Sequence, residues 1–517
     1  MFAVPLAASP RSDFVPSGPS RPRIGAHSLR ALRHAATLTA FALLGGCALS
    51  PVYQRPEAPV ANAYPTGDAY DPAAAVAMRS LAADIGWRDF FQDPILQVLI
   101  ESALDNNRDI QIAALNVETA RAAYRERRAE LLPRVDGVAT STSQRTPSDL
   151  AAPRTPEITR AYQASGAVSA WELDLWGRVR SLNDQALAAY LAREETRLSV
   201  QLSLMAEVAN AYLTLRADQA MLRLAEETVA TQTRAFALTR QRAEAGEAGR
   251  IDMHQAEAAL RGAEADRSAY QRQAARDRNA LVLLLGRPIT PELSASLDGA
   301  DTLPDDLAMA DLPPGLPSEL LIRRPDIRAA EQALIAANAN IGAARAAFFP
   351  AVSLTGSIGS ASSDLDSLFS SGTRAWGFGP QITTPLFRGG ALRASLDRAH
   401  LLKQIEVARY ERAVQVAFRE VADGLAGQGT FSDQIFSEMQ RVDASQTTYD
   451  LAEQRFREGE DSYLAVLDAQ RTLYGSQQAL IRARLMRLSN HVDLYKALGG
   501  GWAEHSVTAA RPVEPEA

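Results

Sequence analysis

Apolar side chains recur at helical spacing over four long stretches of the chain, and charged residues fill the opposite face. The stretches cover about 178–245, 250–285, 391–457 and 462–498. At 1.5 Å per residue, the two longest helices would each span about 100 Å. Such lengths exceed a globular domain and suit a protein that crosses an aqueous compartment. A cytosolic coiled coil is the alternative interpretation of these stretches.

A second pattern, with a period of two, predicts β-strands. Val352, Leu354, Gly356 and Ile358 alternate with small polar residues, and a later run places five residues on one face: Trp376, Phe378, Pro380, Ile382 and Leu386. Weaker counterparts lie near 135–144 and 161–175, where the second run shifts phase at Ala170. Runs of about 10–15 residues fit tilted membrane strands. A small soluble hairpin domain is the alternative, and Pro380 and Pro385 leave the end of the last strand open.

Four strands per chain are too few for a membrane barrel, since known barrels begin at about eight strands. Open sheet edges are excluded from lipid because each unsatisfied backbone group costs several kcal/mol there. If these strands enter a membrane, the chain must therefore oligomerise, giving eight, twelve or sixteen strands for two, three or four copies. The pattern alone does not choose among these numbers.

The chain contains a tandem duplication. Gln241, Arg242 and Gly246 match Gln454, Arg455 and Gly459, and the same offset of 213 residues relates Leu285-Gly286 to Leu498-Gly499. Each half predicts an entry helix (about 95–131 or 318–348), two strands, a very long helix, a glycine-marked turn and a return helix. A chance likeness between alanine-rich helices would not keep one offset over roughly eighty residues.

The N-terminus predicts export and lipid attachment. Arg30 and Arg33 precede an apolar run of about ten residues, which is too short to span a bilayer. The run ends at Leu44-Gly45-Gly46-Cys47, which looks like a bacterial lipobox, so residues 1–46 are expected to be a signal peptide and Cys47 to carry the lipid. An ordinary signal peptide with an incidental cysteine is the alternative. Ala48, in place of aspartate, is typical of lipoproteins sent to the outer membrane.

These observations divide the chain into six predicted parts. They are a signal peptide (1–46), a lipid-anchored tether rich in proline (47–94), a first repeat (95–286), an irregular linker (287–317), a second repeat (318–501) and a disordered tail (502–517). The net charge of −7 gives no electrostatic reason to expect nucleic acid. A single cysteine and six scattered histidines predict neither disulfides nor a metal site.

Several motifs resemble those of the outer-membrane factor (TolC-like) family, in particular its NodT/OprM-like lipoprotein branch. The matching segments are spread over the mature chain and comprise 85–91, 114–118, 171–177, 321–327, 463–471 and 493–499. The resemblance implies a mainly α-helical protomer with a membrane β part, assembled as a homotrimer with twelve strands in one β-barrel and an α-helical barrel in the periplasm. It also implies no enzymatic activity and no cofactor apart from the covalent lipid on Cys47.

The resemblance further implies a passive conduit for drugs and toxic compounds in a tripartite efflux system. The partners would be a periplasmic adaptor (membrane fusion protein), an inner-membrane resistance-nodulation-division (RND) pump and outer-membrane lipid. The helix-pair turns at 246–249 and 459–462 would form a periplasmic tip. Asp468 occupies the position of a constriction aspartate, and three copies would form a cation-favouring ring. Ala465 stands where some members carry a second aspartate.

Tyr463 and Arg455 lie near the same turn and are candidates for bonds that hold the tip closed; Asp252 is a further candidate in the other half. The alternative for Asp468 is an ordinary helix-surface charge. Three other functions stay open at this point: an enzyme, for which the sequence offers no recognisable catalytic motif, a scaffolding lipoprotein, and a protein-secretion channel. The lipobox and the pump-associated motifs favour drug efflux over secretion.

Overall fold

The computed structural model describes residues 49–70, 84–147, 149, 158–247, 249–299, 309–310, 312 and 317–506. The predicted signal peptide and Cys47 lie outside these residues. No helix within the described ranges is long and apolar enough to cross a membrane.

The helices and strands follow the same order in both halves. The first half contains α1 (Trp87–Phe90), α2 (Pro94–Asn106), α3 (Arg108–Ala129), β1 (Val135–Arg145), β2 (Ile158–Leu173), α4 (Arg178–Glu244) and α5 (Arg250–Leu285). A short helix, α6 (Pro291–Asp298), follows. The second half contains α7 (Pro317–Arg323), α8 (Pro325–Ala346), β3 (Ala351–Ser362), β4 (Arg374–Thr383), α9 (Ala391–Glu458) and α10 (Tyr463–Ala497). The first hairpin is α4 with α5, and the second hairpin is α9 with α10.

The prediction of one uninterrupted entry helix in each half is wrong. The first is broken at Asn107, whose extended backbone (ψ 136°) ends α2 and whose side chain caps α3 by accepting the N–H of Asp109 at 2.8 Å. The second is broken at Arg324 (ψ 122°), because Pro325 disfavours helical geometry in the preceding residue. Helical periodicity continues across both breaks, so it could not reveal them.

The residue at each break, Asn107 or Arg324, is a joint residue: its side chain bonds to the end of a return helix, α5 or α10. The Asn107 side-chain amide donates to the Leu284 carbonyl at 2.9 Å. The Arg324 guanidinium donates to the Ala497 carbonyl at 2.9 Å, and Leu284 and Ala497 are separated by the same 213 residues that relate the repeats. Both joint residues are buried, so these bonds satisfy carbonyls that a helix terminus would leave unpaired. The two halves thus share this contact to the return helix, although asparagine makes it in the first half and arginine in the second.

The main hydrophobic core lies where α2, α4, α5, α9 and α10 pack together. Phe90 of α1 stacks on Tyr495 of α10 with ring centroids 3.8 Å apart, and Trp87 and Phe91 are buried beside it. Residues 84–94 therefore belong to the helical body, which corrects the prediction of a tether as far as residue 94. The predicted irregular linker likewise contains α6, whose Leu297 is buried in the same core.

The tail prediction is wrong for residues 502–506. The backbone N–H groups of Trp87 and Arg88 donate to the carbonyls of Ala503 and Glu504 at 3.0 and 3.1 Å. Asp89 accepts bonds from both the backbone and the hydroxyl of Ser506 at 2.6 Å. These backbone bonds, together with those accepted by the Asp89 carboxylate, hold residues 502–506 against α1. Residues 507–517 lie outside the described residues.

Residues 49–70 form neither helix nor strand but are fixed against the helices. The Arg55 guanidinium makes two bonds of 2.7 Å to the carboxylate of Glu331 on α8, which also accepts the Tyr53 hydroxyl at 3.0 Å. The carbonyl of Pro51 accepts a bond from Asn338 at 2.7 Å. Glu331 and Asn338 are buried, so these are specific contacts rather than a loose tether.

The four strands form one antiparallel sheet in the order β1-β2-β3-β4. A bulge between Val168 and Trp171, with Ala170 at φ +48°, produces the phase shift seen in the sequence. Pro380 lies within β4, where an edge strand tolerates it, and the strand ends at Thr383. Leu386 therefore lies beyond the strand, contrary to prediction.

The strand register places the apolar alternate residues on one face of the sheet. Val135, Val168, Gly356 and Phe378 lie opposite one another across the four strands, so they share a face. Ile358 and Trp376 extend this face one step further. The other face carries residues such as Ser357 and Gly377. The sheet is consequently apolar on one side only.

Candidate functional site

The two hairpin turns, at 246–249 and 459–462, begin with the same backbone geometry. Gly246 and Gly459 adopt left-handed φ values of +79° and +81° after the last helical residues. Glu247 donates its N–H to the Arg242 carbonyl at 2.8 Å, and Glu460 donates to the Arg455 carbonyl at 2.9 Å. This pattern closes a helix C-terminus with a left-handed glycine, as the sequence repeat indicated.

Tyr463 is the first residue of α10 and is buried, with 3% of its surface exposed. Its ring packs with Val466 and Leu467 of its own helix and with Ala256 of α5, in a small apolar cluster separate from the main core. The Phe456 ring lies 5.5 Å away, centroid to centroid. Burial raises the pKa of the Tyr463 hydroxyl, which points to Gln232 of α4 at 3.5 Å. The side chain thus joins the two hairpins mainly through apolar packing.

Two further contacts join the hairpins near the turns. The Arg242 guanidinium lies over the Phe456 ring, 5.3 Å from its centroid, which is cation–π geometry. The Gln232 amide donates to the Gln470 side-chain oxygen at 2.5 Å. Sequence reasoning missed these residues. The repeat could have drawn attention to Arg242, because it occupies the position of Arg455 in the other half.

Arg455 itself bonds within its own turn. Its guanidinium donates to the Asp461 carboxylate at 2.5 Å and lies 3.6 Å from Glu460. The hydrogen bond from Arg455 holds the pKa of Asp461 below its usual value. All three side chains are partly or largely exposed, so water screens their interaction. Arg455 therefore stabilises the turn conformation locally.

Asp468 lies on an exposed face of α10, away from Tyr463. The two lie five positions apart along the helix, which places their side chains about 140° apart around its axis. Asp468 lines a shallow groove of about 390 Å³ with Arg441 and small residues of α9 and α10. Asp252 accepts the Gly249 N–H at 3.3 Å and so caps α5. The structure therefore does not gather the predicted gate residues into one cluster, and their role in a gate stays a prediction.

A larger groove, of about 500 Å³, runs between α4 of the first hairpin and both helices of the second. Its lining mixes apolar side chains with charged ones: Leu238, Tyr449, Phe456 and Val466 together with Glu227, Arg234, Glu453 and Arg457. It lies directly beside the Tyr463 cluster. Such a surface can accommodate an amphipathic segment of another protein.

Known proteins share this sequence and this fold. A family model described as outer membrane efflux protein matches residues 99–287 and 316–500. The chain is 50% identical to the probable efflux pump outer membrane protein TtgC of Pseudomonas putida over 480 residues, covering 93% of this chain and 97% of that protein. It is 42% identical to the outer membrane protein OprJ of Pseudomonas aeruginosa over 466 residues, 89% of this chain and 94% of that protein.

The fold also matches the crystal structure of the open state of the MtrE outer membrane channel of Neisseria gonorrhoeae. The TM-score is 0.79 at 38% identity, and the match covers 89% of this chain and all of that one. The predicted family, the mainly α-helical fold with a four-stranded sheet, and the predicted outer-membrane efflux function are thereby confirmed. The chain belongs to the outer membrane efflux protein family.

Proposed function

We propose that three copies of this chain form an outer-membrane conduit through which an inner-membrane RND pump, joined by a periplasmic adaptor, exports small molecules. The observation that carries this proposal is the sheet: among the described residues it is apolar on one face, unpaired at both edges and continuous with helices about 100 Å long. The sheet suits lipid, and the helices suit an aqueous compartment.

The open edges argue for assembly. Within the part of the chain that the structure describes, the outer edges of β1 and β4 pair with no further strand, and lipid cannot satisfy the backbone groups of such an edge. Pairing β4 of one copy with β1 of the next closes the sheet, and three copies supply twelve strands. Trp376 is 77% exposed and Phe378 67% exposed in the single chain, as expected for side chains that face lipid.

Two substitutions on the same strand test this arrangement. Phe378→Arg places a charge on the apolar face, at a cost of about 2–4 kcal/mol near the bilayer midplane. Gln381→Arg, the matched control, lies on the other face. We expect Phe378→Arg to reduce the heat-modifiable oligomer in outer-membrane fractions and Gln381→Arg to leave it intact. Equal yields from both variants would contradict a lipid-facing sheet.

We also propose that Cys47 carries the lipid that anchors the mature chain to the outer membrane. The segment 49–70 supports this assignment because it is fixed to the helical body at Ser50, whose hydroxyl lies 3.0 Å from that of Ser181. Cys47→Ala should abolish labelling by radioactive palmitate. The protein should still sediment with membranes, since the sheet would anchor it. Complete loss of membrane association would contradict a membrane-inserted sheet.

The periplasmic gate is proposed at the hairpin turns. Tyr463 would hold the two hairpins of one copy together, aided by the contacts of Arg242 and Gln232, while Arg455 would fix the turn. Three copies of the exposed Asp468 around a narrow axis would favour cations. The mixed groove beside Tyr463 is the proposed adaptor site.

The partners can be tested in a strain that lacks its own outer-membrane efflux channels. Expression of this chain with a matched adaptor and RND pump should restore resistance to exported drugs and solvents. Leu238→Arg, in the groove, should impair co-purification of the adaptor, whereas the exposed Leu401→Arg on α9, outside the groove, should not. Resistance that does not depend on the adaptor would argue against a tripartite system.

A further inference from the structure

Two aspartates face each other between the helices of the first hairpin. Asp218 of α4 lies within hydrogen-bonding reach of Asp277 of α5, and both side chains are half-buried. Gln273, one turn before Asp277, donates its amide to one Asp277 oxygen at 2.9 Å. The other oxygen, Oδ2, is shielded from solvent and receives no bond from an amide, guanidinium or hydroxyl group of the described residues.

A carboxylate oxygen in this position needs a donor, because buried acceptors are almost always paired. The adjacent carboxyl of Asp218 can supply one only if it carries a proton. Two touching carboxylates also cannot both ionise cheaply, so the pair favours a single shared proton. Burial, followed by the contact with Asp277, raises the pKa of Asp218 to about 7.

Several elements packed against α4 and α5 carry charged groups. Arg482 of α10 is the cation that acts on Asp218, and it belongs to the second hairpin. Arg278, next to Asp277, is bonded to Asp298 and to Ser294 at 2.8 Å near α6. On the side towards α2 and α3, the Asp93 carboxylate accepts a bond from the Tyr212 hydroxyl at 2.8 Å, and the Tyr212 oxygen accepts a bond from the Arg216 guanidinium. Arg108 donates to the Gln111 side chain. Arg328 of α8 pairs with Glu195, about six helical turns away.

The second hairpin lacks this pair. By the 213-residue offset, Phe431 is equivalent to Asp218 and Asn490 is equivalent to Asp277. Asn490 cannot titrate, and its amide donates to the Gly424 carbonyl at 2.9 Å. A proton can therefore alter the packing of the first hairpin while the corresponding level of the second remains unchanged.

We propose that Asp218 and Asp277 share one proton that holds α4 and α5 together, and that loss of this proton loosens the first hairpin and draws Asp218 towards Arg482 of the second. When the proton is present, a hydrogen bond links the helices. When it leaves, two carboxylates repel across the same contact, and Arg482, the cation that acts on Asp218, lies on the other hairpin. The inference rests on the proposed channel insofar as the loosening changes channel opening.

The proton itself is tested by infrared spectroscopy of the full-length oligomer in detergent, without any assay of transport. The proton shared by the pair should be present at pH 6 and largely lost by pH 8, because the pKa of Asp218 is raised to about 7. We expect a protonated-carboxyl band that disappears over this range and is absent in both Asp218→Asn and Asp277→Asn. Glu226→Gln, an exposed site two turns further along α4, is the control and should keep the band. A wild-type spectrum without a band at pH 6, or with a band that persists in Asp218→Asn, overturns the proposal.

The consequence is tested in planar bilayers. Wild-type opening should change between pH 6 and pH 8 with a midpoint near neutrality. Asp218→Asn keeps a donor towards Asp277 and should behave at both pH values like the wild type at pH 6. An unchanged pH profile in Asp218→Asn would refute the coupling between this pair and opening. Failure of the wild type to conduct at any pH would instead count against the channel, while the infrared result would still decide the shared proton.

Discussion

The two hairpin turns begin with the same backbone geometry but use their side chains differently. Arg242 and Arg455 occupy the same position before the left-handed glycine, yet Arg242 reaches across to Phe456 of the other hairpin. Arg455 instead bonds Asp461 of its own turn, and the first repeat has Ala248 at that position. After the turn, the second repeat has buried Tyr463 where the first has exposed Arg250.

The difference shows which features a duplicated helical hairpin retains. The glycine and the backbone bonds that end the helix are kept because no other residue adopts that conformation at so little cost. The side chains have diverged, so that the second turn supplies the aromatic packing and the first supplies a cation for it. The two hairpins are consequently held together near their turns by different side chains from equivalent positions.

The largest effect is expected from Tyr463→Ala. Removing a buried aromatic ring from the small apolar cluster leaves a cavity and should destabilise the tip by about 3 kcal/mol. Denaturant unfolding in detergent measures this, and bilayer recordings should show more frequent opening. Arg250→Ala, at the equivalent position of the first repeat, should change stability by less than about 0.5 kcal/mol. Similar losses in both variants would mean that the two turns are not functionally distinct.

The two glycines should respond alike. Gly246→Ala and Gly459→Ala force a side chain into a left-handed conformation at a cost of about 1 kcal/mol each, although no neighbouring atom obstructs the new carbon. Gly475→Ala, in the interior of α10 and equally unobstructed, should instead stabilise the protein by up to about 1 kcal/mol. Thermal unfolding of the three variants compares them. Unequal effects at the two turns would show that their backbones differ in strain.

Selectivity should depend on the second repeat alone. Asp468→Ala should lower the cation-to-anion permeability ratio in bilayers about fivefold at low salt, the effect of roughly 1 kcal/mol of electrostatic energy near a narrow axis. Gln255 is the counterpart of Asp468, and Gln255→Ala removes no charge. Unchanged selectivity in Asp468→Ala would show that this residue is not at the constriction.

The smallest effect is expected from Arg455→Ala, because its partners are exposed to water. In the folded chain the pKa of Asp461 is lowered, so its contribution to stability is present above the ordinary aspartate pKa and is lost as pH falls towards the folded value. Stability measured between pH 7 and pH 3 should therefore decline slightly more in the wild type than in Arg455→Ala. Greater opening in Arg455→Ala than in Arg242→Ala would contradict the contacts seen at the tip.

The sequence determined the elements whose cause is local or repetitive. Helical periodicity located the four long helices to within a residue or two, and alternation located the strands and the bulge near Ala170. The offset of 213 residues identified equivalent positions, including those of Arg242 and Arg455. These features follow from side-chain spacing along one segment, which the linear pattern records directly.

Only the tertiary structure decided the contacts between distant segments. Periodicity could not show that Asn107 and Arg324 break the entry helices, because their partners at Leu284 and Ala497 lie far along the chain. It could not show that residues 502–506 pair with α1, nor that the duplication pairs two titratable carboxyls in one hairpin only. Each of these contacts pairs polar groups that are far apart along the chain, and only the packed structure brings them together.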